Sequence, residues 1–376
     1  MKNKNRDYLV SGIVIAVLII AIVLISVFPK QENNDVIKIG IIDSFSGEGS
    51  IYGEWTRKNM VIAAEEINER GGLKGKKLVL VFEDHHASPQ EAVSAYQKLK
   101  LEGIDIIDIG FSSPSLAVSP LANGDKKILF THGATTPLYS TKDDYTFRTS
   151  INANQFAEEE ASFLFDGLNK RKVAVIHINN DFGLGMKNVF VKSFNNLGGE
   201  VLITENFEQG SKDFKSLITK VQAVKPEAVF LVGHMTGSGL LVKQMKELGF
   251  NPLIISDVYS VEGEEFLKQA EESGEGIIYV APYFDKNKKP EFSKKYLERY
   301  GEEPTYYSQA YDVLLLIEEA LKGCKTIHPD CIKDELFKIK NFEGASGTLT
   351  FDEYGDVQKP IEFKTIKDRK FVKYEK

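Results

Sequence analysis

Hydroxyl side chains follow two neighbouring predicted β-strands at the points where the strands end. The strand at 104–110 runs into Ser112 and Ser113, and the strand at 128–131 runs into Gly133, Ala134 and Thr135. Because neighbouring parallel strands end at the same edge of a sheet, Ser112 and Thr135 are expected to lie close together. Hydroxyl groups and free N–H groups at a helix N-terminus suit a carboxylate. The local pattern also allows Ser112 to be an ordinary helix cap.

No constellation of reactive side chains accompanies these loops. The sequence has no GxSxG, HExxH or GxxxxGK[ST] motif, and its short glycine pairs lack the third glycine of a dinucleotide fingerprint. Asp84-His85-His86 follows a predicted strand, but successive strand residues point to opposite faces and chelate a metal poorly. We therefore expect no enzymatic activity, no cofactor and no metal.

The composition is that of an ordinary globular protein, and the net charge argues against nucleic acid as a partner. The 376 residues are 42% hydrophobic and 27% charged, which is enough for more than one core. The formal net charge of −7 argues against nucleic acid, because a phosphate backbone needs a clustered excess of Lys and Arg.

The elements that must position the two loops follow an alternating pattern of strands and helices. Strands are predicted at 36–42, 78–82, 104–109, 128–130, 173–178, 201–204, 228–232, 253–255 and 277–280, with amphipathic helices between them. This alternation is typical of parallel βαβ units. About ten such units favour two doubly wound α/β lobes over a single sheet or barrel.

Helices predicted at 291–300, 307–321 and 332–339 follow the second sheet, so the chain is expected to return to the first lobe. The prediction is a first lobe of residues 36–152 plus 283–343 and a second lobe of residues 153–282 plus 344–376. Several chain crossings between the lobes would form a hinge, with a ligand cleft at the strand ends.

The first 30 residues differ from the rest of the chain. Lys2, Lys4 and Arg6 precede an apolar run over 9–28, long enough to cross a bilayer as one helix. The basic flank places the remainder outside the cell membrane, extracellular or periplasmic. The run lacks a small-x-small cleavage site, so residues 1–30 are predicted to be an uncleaved single-pass anchor and 31–35 a linker. A cleaved signal peptide is the alternative.

From residue 36 onward the sequence resembles the type I periplasmic binding proteins of the leucine/isoleucine/valine-binding class. The resemblance rests on the order and spacing of several segments. They are Ser46-Gly47-Glu48-Gly49-Ser50-Ile51-Tyr52-Gly53, Ala63-Ala64-Glu65-Glu66-Ile67-Asn68, Gly71-Gly72-Leu73-Lys74-Gly75-Lys76, Asn179-Asn180-Asp181-Phe182-Gly183-Leu184-Gly185 and Gly347-Thr348-Leu349-Thr350-Phe351-Asp352.

The resemblance implies a binding site for an amino acid. A ligand carboxylate would be held by Ser112 and Thr135 in the segment that includes Ala134, and an ammonium group by the Gly133 carbonyl, Thr135 and an acid of the second lobe. Asp257, which follows the predicted strand at 253–255, is chosen as that acid. Side chains expected to line the cleft are Tyr52, Phe182, His234 and Tyr306. An aromatic residue is usual in the family where this chain has His234.

The function that this resemblance implies is capture of an amino acid or similar carboxylate for the permease of an ABC importer. A ligand-sensing ectodomain that works with a separate signalling partner is the alternative. Cys324 and Cys331 are separated by six residues, and the oxidising exterior favours a disulfide between them.

Overall fold

The computed structural model describes residues 36–375, and its first lobe is built on a five-stranded sheet. All neighbours in this sheet pair in parallel, in the order β2-β1-β3-β4-β5. The strands are β1 (Val36–Asp43), β2 (Lys77–Asp84), β3 (Ile106–Ile109), β4 (Ile128–Thr131) and β5 (Thr146–Arg148). The central strands are buried runs of β-branched and aromatic residues, as expected where helices cover both faces of a parallel sheet.

Helices connect these strands and carry residues to the carboxyl edge of the sheet. They are α1 (Ser50–Glu69), α2 (Pro89–Leu101) and α3 (Ser112–Gly124). Ser88 caps α2, because its side chain accepts a hydrogen bond from the Glu91 N–H. Helix α3 begins immediately after Phe111, whose φ of 64° turns the chain sharply out of β3.

The second lobe contains a seven-stranded sheet in the order β14-β13-β10-β9-β8-β6-β7. Its parallel strands are β6 (Lys172–Ile178), β7 (Glu200–Phe207), β8 (Ala228–Val232), β9 (Leu253–Asp257) and β10 (Ile278–Pro282). The helices are α4 (Ala153–Ser162), α5 (Asp181–Asn196), α6 (Lys215–Ala223), α7 (Met235–Glu247), the single turn α8 (Val258–Val261) and α9 (Glu264–Ala270). The predicted alternation of strands and helices is thus present in both lobes.

After β10 the chain returns to the first lobe as three helices. These are α10 (Pro290–Tyr300), α11 (Gln309–Gly323) and α12 (Pro329–Lys338), followed by the hairpin strands β11 (Phe342–Gly344) and β12 (Gly347–Leu349). Side chains of α11 such as Tyr311 and Leu314 share a core with Ile39 and Phe130 of the first sheet. The expected return of the chain is therefore observed.

The last crossing lies later than the sequence analysis placed it. Phe351 packs against Phe130 and Phe147, with ring centroids 6.3 and 5.3 Å apart, and Leu349 and Val357 belong to the same core. Only β13 (Ile361–Lys367) and β14 (Lys370–Lys373) join the second sheet, as antiparallel edge strands. Assignment of all of 344–376 to the second lobe is wrong, because the apolar residues before 358 complete the core of the first lobe.

Buried polar contacts hold the crossing segments together. The Arg148 side chain donates a hydrogen bond of 2.9 Å to Asp356, and the Asn152 amide donates one of 3.1 Å to the same carboxylate. Arg148 and Asn152 lie where the chain first passes from the first lobe to the second, and Asp356 lies where it passes for the last time. Asp356 therefore holds these two crossing segments together.

Two further expectations concern covalent and membrane features. A disulfide joins Cys324, which follows the last residue of α11, to Cys331 in the first turn of α12, with their Cα atoms 5.8 Å apart. The expected anchor at 1–30 and linker at 31–35 lie outside the described residues. Between residues 36 and 375, no helix combines the length and the apolar character that a membrane span requires.

Candidate functional site

A cavity of about 330 Å³ lies in the cleft between the two lobes. Its walls come from the carboxyl ends of strands in both sheets, where helices begin. The first lobe contributes Tyr52, Phe111, Ser112, Gly133 and Tyr307, among others, and the second contributes Asp181, Phe182, Gln209, His234 and Tyr259. Five of the nine predicted ligand-binding residues are in this wall: Tyr52, Ser112, Gly133, Phe182 and His234.

The two hydroxyl-bearing loops meet at Ser112. Its Oγ accepts hydrogen bonds from the N–H groups of Thr135, at 3.2 Å, and Thr136, at 3.4 Å. The predicted proximity of Ser112 and Thr135 is confirmed. Because Oγ is used as an acceptor, the hydroxyl hydrogen of Ser112 is available to a ligand, as are the first N–H groups of α3.

Ala134 and Thr135 lie behind the cavity wall. The Ala134 carbonyl accepts hydrogen bonds of 3.0 Å from Arg148 and from Ser150, so this residue supports the hinge. Thr135 is fully buried, and its Oγ1 has no hydrogen-bond partner within residues 36–375. Leaving a buried hydroxyl without a hydrogen bond costs free energy, so a ligand group that hydrogen-bonds to Thr135 would be bound more tightly.

Asp257 does not reach the cavity. One oxygen accepts hydrogen bonds from the N–H groups of Tyr259, at 2.9 Å, and Ser260, at 3.2 Å, and the other accepts from the Ser260 hydroxyl at 2.6 Å. The carboxyl group caps the short helix α8. Burial raises the pKa of Asp257 to about 7, although the hydrogen bonds from Ser260 and Tyr259 oppose that shift. The proposed contact between Asp257 and a ligand ammonium group is therefore not supported by this geometry.

Asp181 is the second-lobe acid that lines the cavity. It is the first residue of α5, after the end of β6, and its N–H donates a 3.1 Å hydrogen bond across the cleft to the Ser113 hydroxyl. Asp181 thus contacts Ser113, the residue that follows Ser112. The sequence signal was available, because Asn179-Asn180-Asp181-Phe182 follows a strand just as the Ser112 segment does.

Tyr307, rather than Tyr306, lines the cavity. Tyr306 is buried behind Tyr259, with ring centroids 5.6 Å apart, and its hydroxyl has no hydrogen-bond partner in the described part of the chain. The two tyrosines form one turn of 3₁₀ helix, so adjacent side chains point to different sides. The sequence analysis expected Tyr306 in the cleft wall, whereas its neighbour Tyr307 occupies that position.

An aromatic wall surrounds His234. Its ring stacks on Phe182, with centroids 5.6 Å apart and planes at 18°, and meets Phe111 and Tyr52 at 5.4 and 5.8 Å. Burial lowers the pKa of His234 to about 4, so the imidazole is neutral at pH 7. Its Nε2 has no hydrogen-bond partner among residues 36–375. His234 therefore combines the flat surface of an aromatic ring with an unused polar atom.

His85 of the Asp84-His85-His86 segment contacts the backbone at the start of the Ser112 loop. The Ala87 N–H donates to His85 Nδ1 at 2.9 Å, and the other ring nitrogen lies 3.3 Å from the Gly110 carbonyl. This pattern requires a neutral imidazole that donates from Nε2. Within the described residues, no group of three or more His, Cys, Asp or Glu side chains is arranged to hold a metal ion.

Comparison with known proteins identifies the family of this two-lobed fold. A family model described as periplasmic binding protein matches residues 36–370. The chain belongs to the periplasmic binding protein family. Members of this family bind solutes outside the cytoplasm, so a solute-binding role and an extracytoplasmic location follow for the cleft described above.

Individual relatives agree with this assignment. The chain is 26% identical over 362 residues to Leu/Ile/Val-binding protein homolog 1 of Brucella abortus, with 94% of each chain covered. The leucine-binding protein LivK of Thermotoga maritima matches with a TM-score of 0.84 at 25% identity, covering 90% of this chain and 98% of its own. LivJ of Streptococcus pneumoniae in complex with isoleucine matches with a TM-score of 0.81 at 27% identity, covering 89% and 97%.

Proposed function

We propose that this periplasmic binding protein captures an amino acid, or a closely similar carboxylate, in the interlobe cleft and presents it to an ABC importer. The observation that carries the proposal is that Ser112 and Asp181 line one cavity from opposite lobes. Related proteins named for binding leucine, isoleucine and valine support an amino acid as the ligand.

The carboxylate of the ligand is assigned to Ser112. Its hydroxyl and the first N–H groups of α3 lie at the positive end of a helix of 13 residues. A hydrogen bond to a charged group contributes roughly 1.5–3 kcal/mol in a desolvated site. Thr135 lies directly behind Ser112 and its hydroxyl has no hydrogen-bond partner among residues 36–375, so it would complete this cradle after a small movement of its loop.

The ammonium group of the ligand is assigned to Asp181 and the Gly133 carbonyl. In an amino acid the ammonium and the carboxylate are attached to the same carbon, so the groups that bind them must be neighbours. The hydrogen bond between the Asp181 N–H and Ser113 places Asp181 beside the residue that follows Ser112. Asp257 does not line the cavity, and both of its oxygens already accept hydrogen bonds from Tyr259 and Ser260 in the cap of α8, so it is not assigned to the ammonium group.

The ligand side chain would contact the aromatic wall of Phe111, Phe182 and His234. A largely apolar wall with a few polar groups is the usual architecture of small-molecule sites. The neutral imidazole of His234 can donate or accept a hydrogen bond, so the wall accommodates aliphatic side chains and side chains with one polar atom.

The test is a panel of the 20 amino acids and of small carboxylates without an ammonium group, measured by thermal shift and then calorimetry on the full-length chain in detergent. At a hundredfold excess over Kd, a ligand adds about 2.7 kcal/mol to stability. Ser112→Ala should weaken the best ligand about tenfold or more. Ser119→Ala, on the same helix with its hydroxyl bonded to the Leu116 carbonyl, is the matched control and should bind normally. If no amino acid or small carboxylate shifts the melting temperature, the proposal is wrong.

The location of the proposed capture step depends on residues 1–30, which we propose to be an uncleaved membrane anchor. The full-length protein should remain with membranes after an alkaline carbonate wash, and added protease should digest the binding domain from outside. Recovery of a soluble mature protein that starts after Phe28 would show that this segment is a cleaved signal peptide and not an anchor.

The importer role is tested by uptake of the identified ligand in a strain from which the gene for this protein has been deleted, where uptake should be lost.

A further inference from the structure

Three ionisable side chains are buried together under the floor of the cleft. Asp43 is the last residue of β1, Asp108 belongs to β3, and His132 follows the last residue of β4. His132 Nδ1 lies 2.6 Å from an Asp108 oxygen, and His132 Nε2 lies 3.2 Å from an Asp43 oxygen. None of the three is more than 1% exposed. We call this group the strand-end triad.

The strand-end triad holds charged groups in the protein interior, where the loss of hydration makes charge energetically unfavourable. Burial opposes protonation of His132, but the Asp108 and Asp43 carboxylates outweigh it and raise the pKa of His132 to about 10. The His132 hydrogen bond overcomes burial and lowers the pKa of Asp43, whereas burial raises the pKa of Asp108. An imidazolium therefore lies between two carboxyl groups at neutral pH.

Other polar groups around the triad are accounted for. Thr56 of α1 donates a 2.6 Å hydrogen bond to Asp43 and lies 2.8 Å from His132 Nε2. Burial lowers the pKa of His85, the nearest other histidine, and its ring is neutral in the observed hydrogen-bond pattern. Tyr139 and Tyr307 also face the triad, and burial keeps both phenols protonated by raising their pKa.

The triad is in direct contact with both ligand-binding loops. His132 is bonded to Gly133 of the cavity wall, and its own carbonyl accepts a hydrogen bond from the Gln309 amide. On the other side, the Asp43 carboxylate is packed so closely against Gly110 that any Cβ there would clash with it. Gly110 leads through Phe111 to Ser112. The triad thus joins β1 to the start of each loop.

A stability role alone does not explain this arrangement. Replacing a buried ion pair by well-packed apolar residues is often neutral or stabilising, so a buried charged group needs another reason to be where it is. Short, directional contacts to two functional loops provide one, because binding requires donors and acceptors held within about 0.5 Å of their productive positions.

We propose that Asp43, His132 and Asp108 are positioning residues, which hold the Gly133 carbonyl and the Ser112 loop in the geometry that binds the ligand. This inference rests on the proposed function. It predicts that disturbing the triad weakens ligand binding in a variant that remains folded, and that the weakening depends on the charge of His132.

The test uses Asp108→Asn in the full-length chain, with the best amino acid of the panel, or L-leucine, as the probe. The amide keeps the shape of Asp108 and a hydrogen-bond acceptor but removes one of the two carboxylate charges that keep His132 protonated. We expect affinity to fall at least tenfold at pH 8. We also expect a new pH dependence, with affinity recovering towards pH 6 as His132 regains its proton, whereas wild-type affinity stays flat over this range.

Asp312→Asn is the matched control. Asp312 is another fully buried carboxylate of the first lobe, and its hydrogen-bond donors are the Ala345 N–H and the N–H and hydroxyl of Ser346, far along the chain from the cleft loops. This variant should lose thermal stability but bind within twofold of wild type, without new pH dependence. Thr56→Val, which removes the hydroxyl that contacts Asp43 and His132 but leaves all three triad side chains in place, is the milder variant if Asp108→Asn fails to fold, and should weaken binding about threefold.

The possible outcomes separate this inference from the proposed function. If wild type binds none of the probes, the proposed function fails and the positioning role fails with it. If wild type binds and a folded Asp108→Asn or Thr56→Val protein matches it in affinity at every pH, only the positioning role is overturned. The positioning role is also overturned if Asp312→Asn reproduces the loss of affinity and its pH profile, because the effect would then report general loosening of the lobe.

Discussion

The Tyr52 hydroxyl of the first lobe donates a 2.6 Å hydrogen bond to the Tyr259 carbonyl of the second lobe. Tyr52 also receives a longer hydrogen bond, of 3.4 Å, from the Met235 N–H at the start of α7. Both contacts cross the cleft directly at the cavity wall. They can form only when the lobes are closed, so they belong to the closed state that would enclose a ligand.

Tyr52→Phe should therefore shift the lobes towards an open arrangement. Loss of one buried hydrogen bond corresponds to about 1 kcal/mol, or roughly a fivefold loss of affinity. Calorimetry would measure the affinity, and small-angle scattering would detect a larger radius of gyration without ligand. Tyr311→Phe, which removes a hydroxyl bonded to Glu66 within the first lobe, is the control and should change neither quantity. Equal affinity in Tyr52→Phe and wild type would contradict the closure role.

Asp181→Asn should discriminate between amino acids and carboxylates without an ammonium group. The variant loses the negative charge that an ammonium group would face in the cavity. Leucine should bind at least tenfold more weakly, whereas 4-methyl-2-oxopentanoate, the analogue with a keto group in place of the amine, should bind no worse. Calorimetry with both ligands checks the contrast. Equal losses for the two ligands would show that Asp181 acts on the fold and not on the ammonium group.

Asp257→Asn should change the pH dependence of stability and leave ligand binding unchanged. The pKa of Asp257 is raised to about 7 by burial, so the folded state binds an extra proton between about pH 4 and pH 7. The stabilising contribution of this group is complete below about pH 4 and is lost as the pH rises through 7. Its maximum slope is about 1.4 kcal/mol per pH unit. Asparagine, an equally good helix cap, does not titrate.

Urea unfolding of Asp257→Asn and wild type at pH 5 and pH 8 measures this difference. Relative to wild type, the variant should be more stable at pH 8 than at pH 5. Asp368→Asn, at an exposed position, serves as the control and should change the free energy of unfolding by the same amount at pH 5 and at pH 8. A large loss of leucine affinity in Asp257→Asn would instead restore this residue as the ammonium partner.

His234→Phe should raise stability and alter side-chain selectivity. The substitution keeps an aromatic ring that can stack on Phe182 but removes a buried nitrogen that has no hydrogen-bond partner in the described part of the chain. Such a buried, unpaired polar atom costs about 1–3 kcal/mol. Among isosteric ligands, threonine should lose affinity relative to valine. His177→Phe is the control, since the His177 ring nitrogen is bonded to the Ile178 carbonyl, and should be destabilising. An unchanged threonine-to-valine ratio would remove His234 from the specificity wall.

Loss of the disulfide between Cys324 and Cys331 should reduce stability without affecting binding. Opening the short loop that it closes costs about 2.5 kcal/mol by the chain-entropy estimate. Denaturant unfolding of the double serine variant measures this cost, and calorimetry should give the wild-type affinity, because the loop lies at the far side of α11 from the cleft residues. Two free thiols in the native protein under non-reducing conditions would exclude the bond.

Much of the fold could be predicted because it depends on local patterns. The buried runs at β1, β6 and β8 alternate with amphipathic helices, and this alternation is typical of parallel sheets that helices cover on both faces. Element boundaries were less certain, since β3 begins at Ile106 and α12 at Pro329, where turns and caps decide the ends. The crossing near residue 358 was missed because packing of Phe351 on the first core is a long-range contact.

The sequence by itself determined the two-lobed α/β architecture, the proximity of Ser112 and Thr135, and the aromatic character of the cleft. The architecture and the proximity follow from hydrophobic periodicity and from the rule that parallel strands end at one edge, whereas the aromatic lining was implied by the resemblance to the leucine/isoleucine/valine-binding class. Only the tertiary structure decided that Asp181 and Tyr307 reach the cavity while Asp257 and Tyr306 do not. The direction of a side chain in a loop depends on partners distant in sequence, and no local pattern encodes them. The buried pairing of Asp43, His132 and Asp108 has the same origin, because three separate strands bring these residues together.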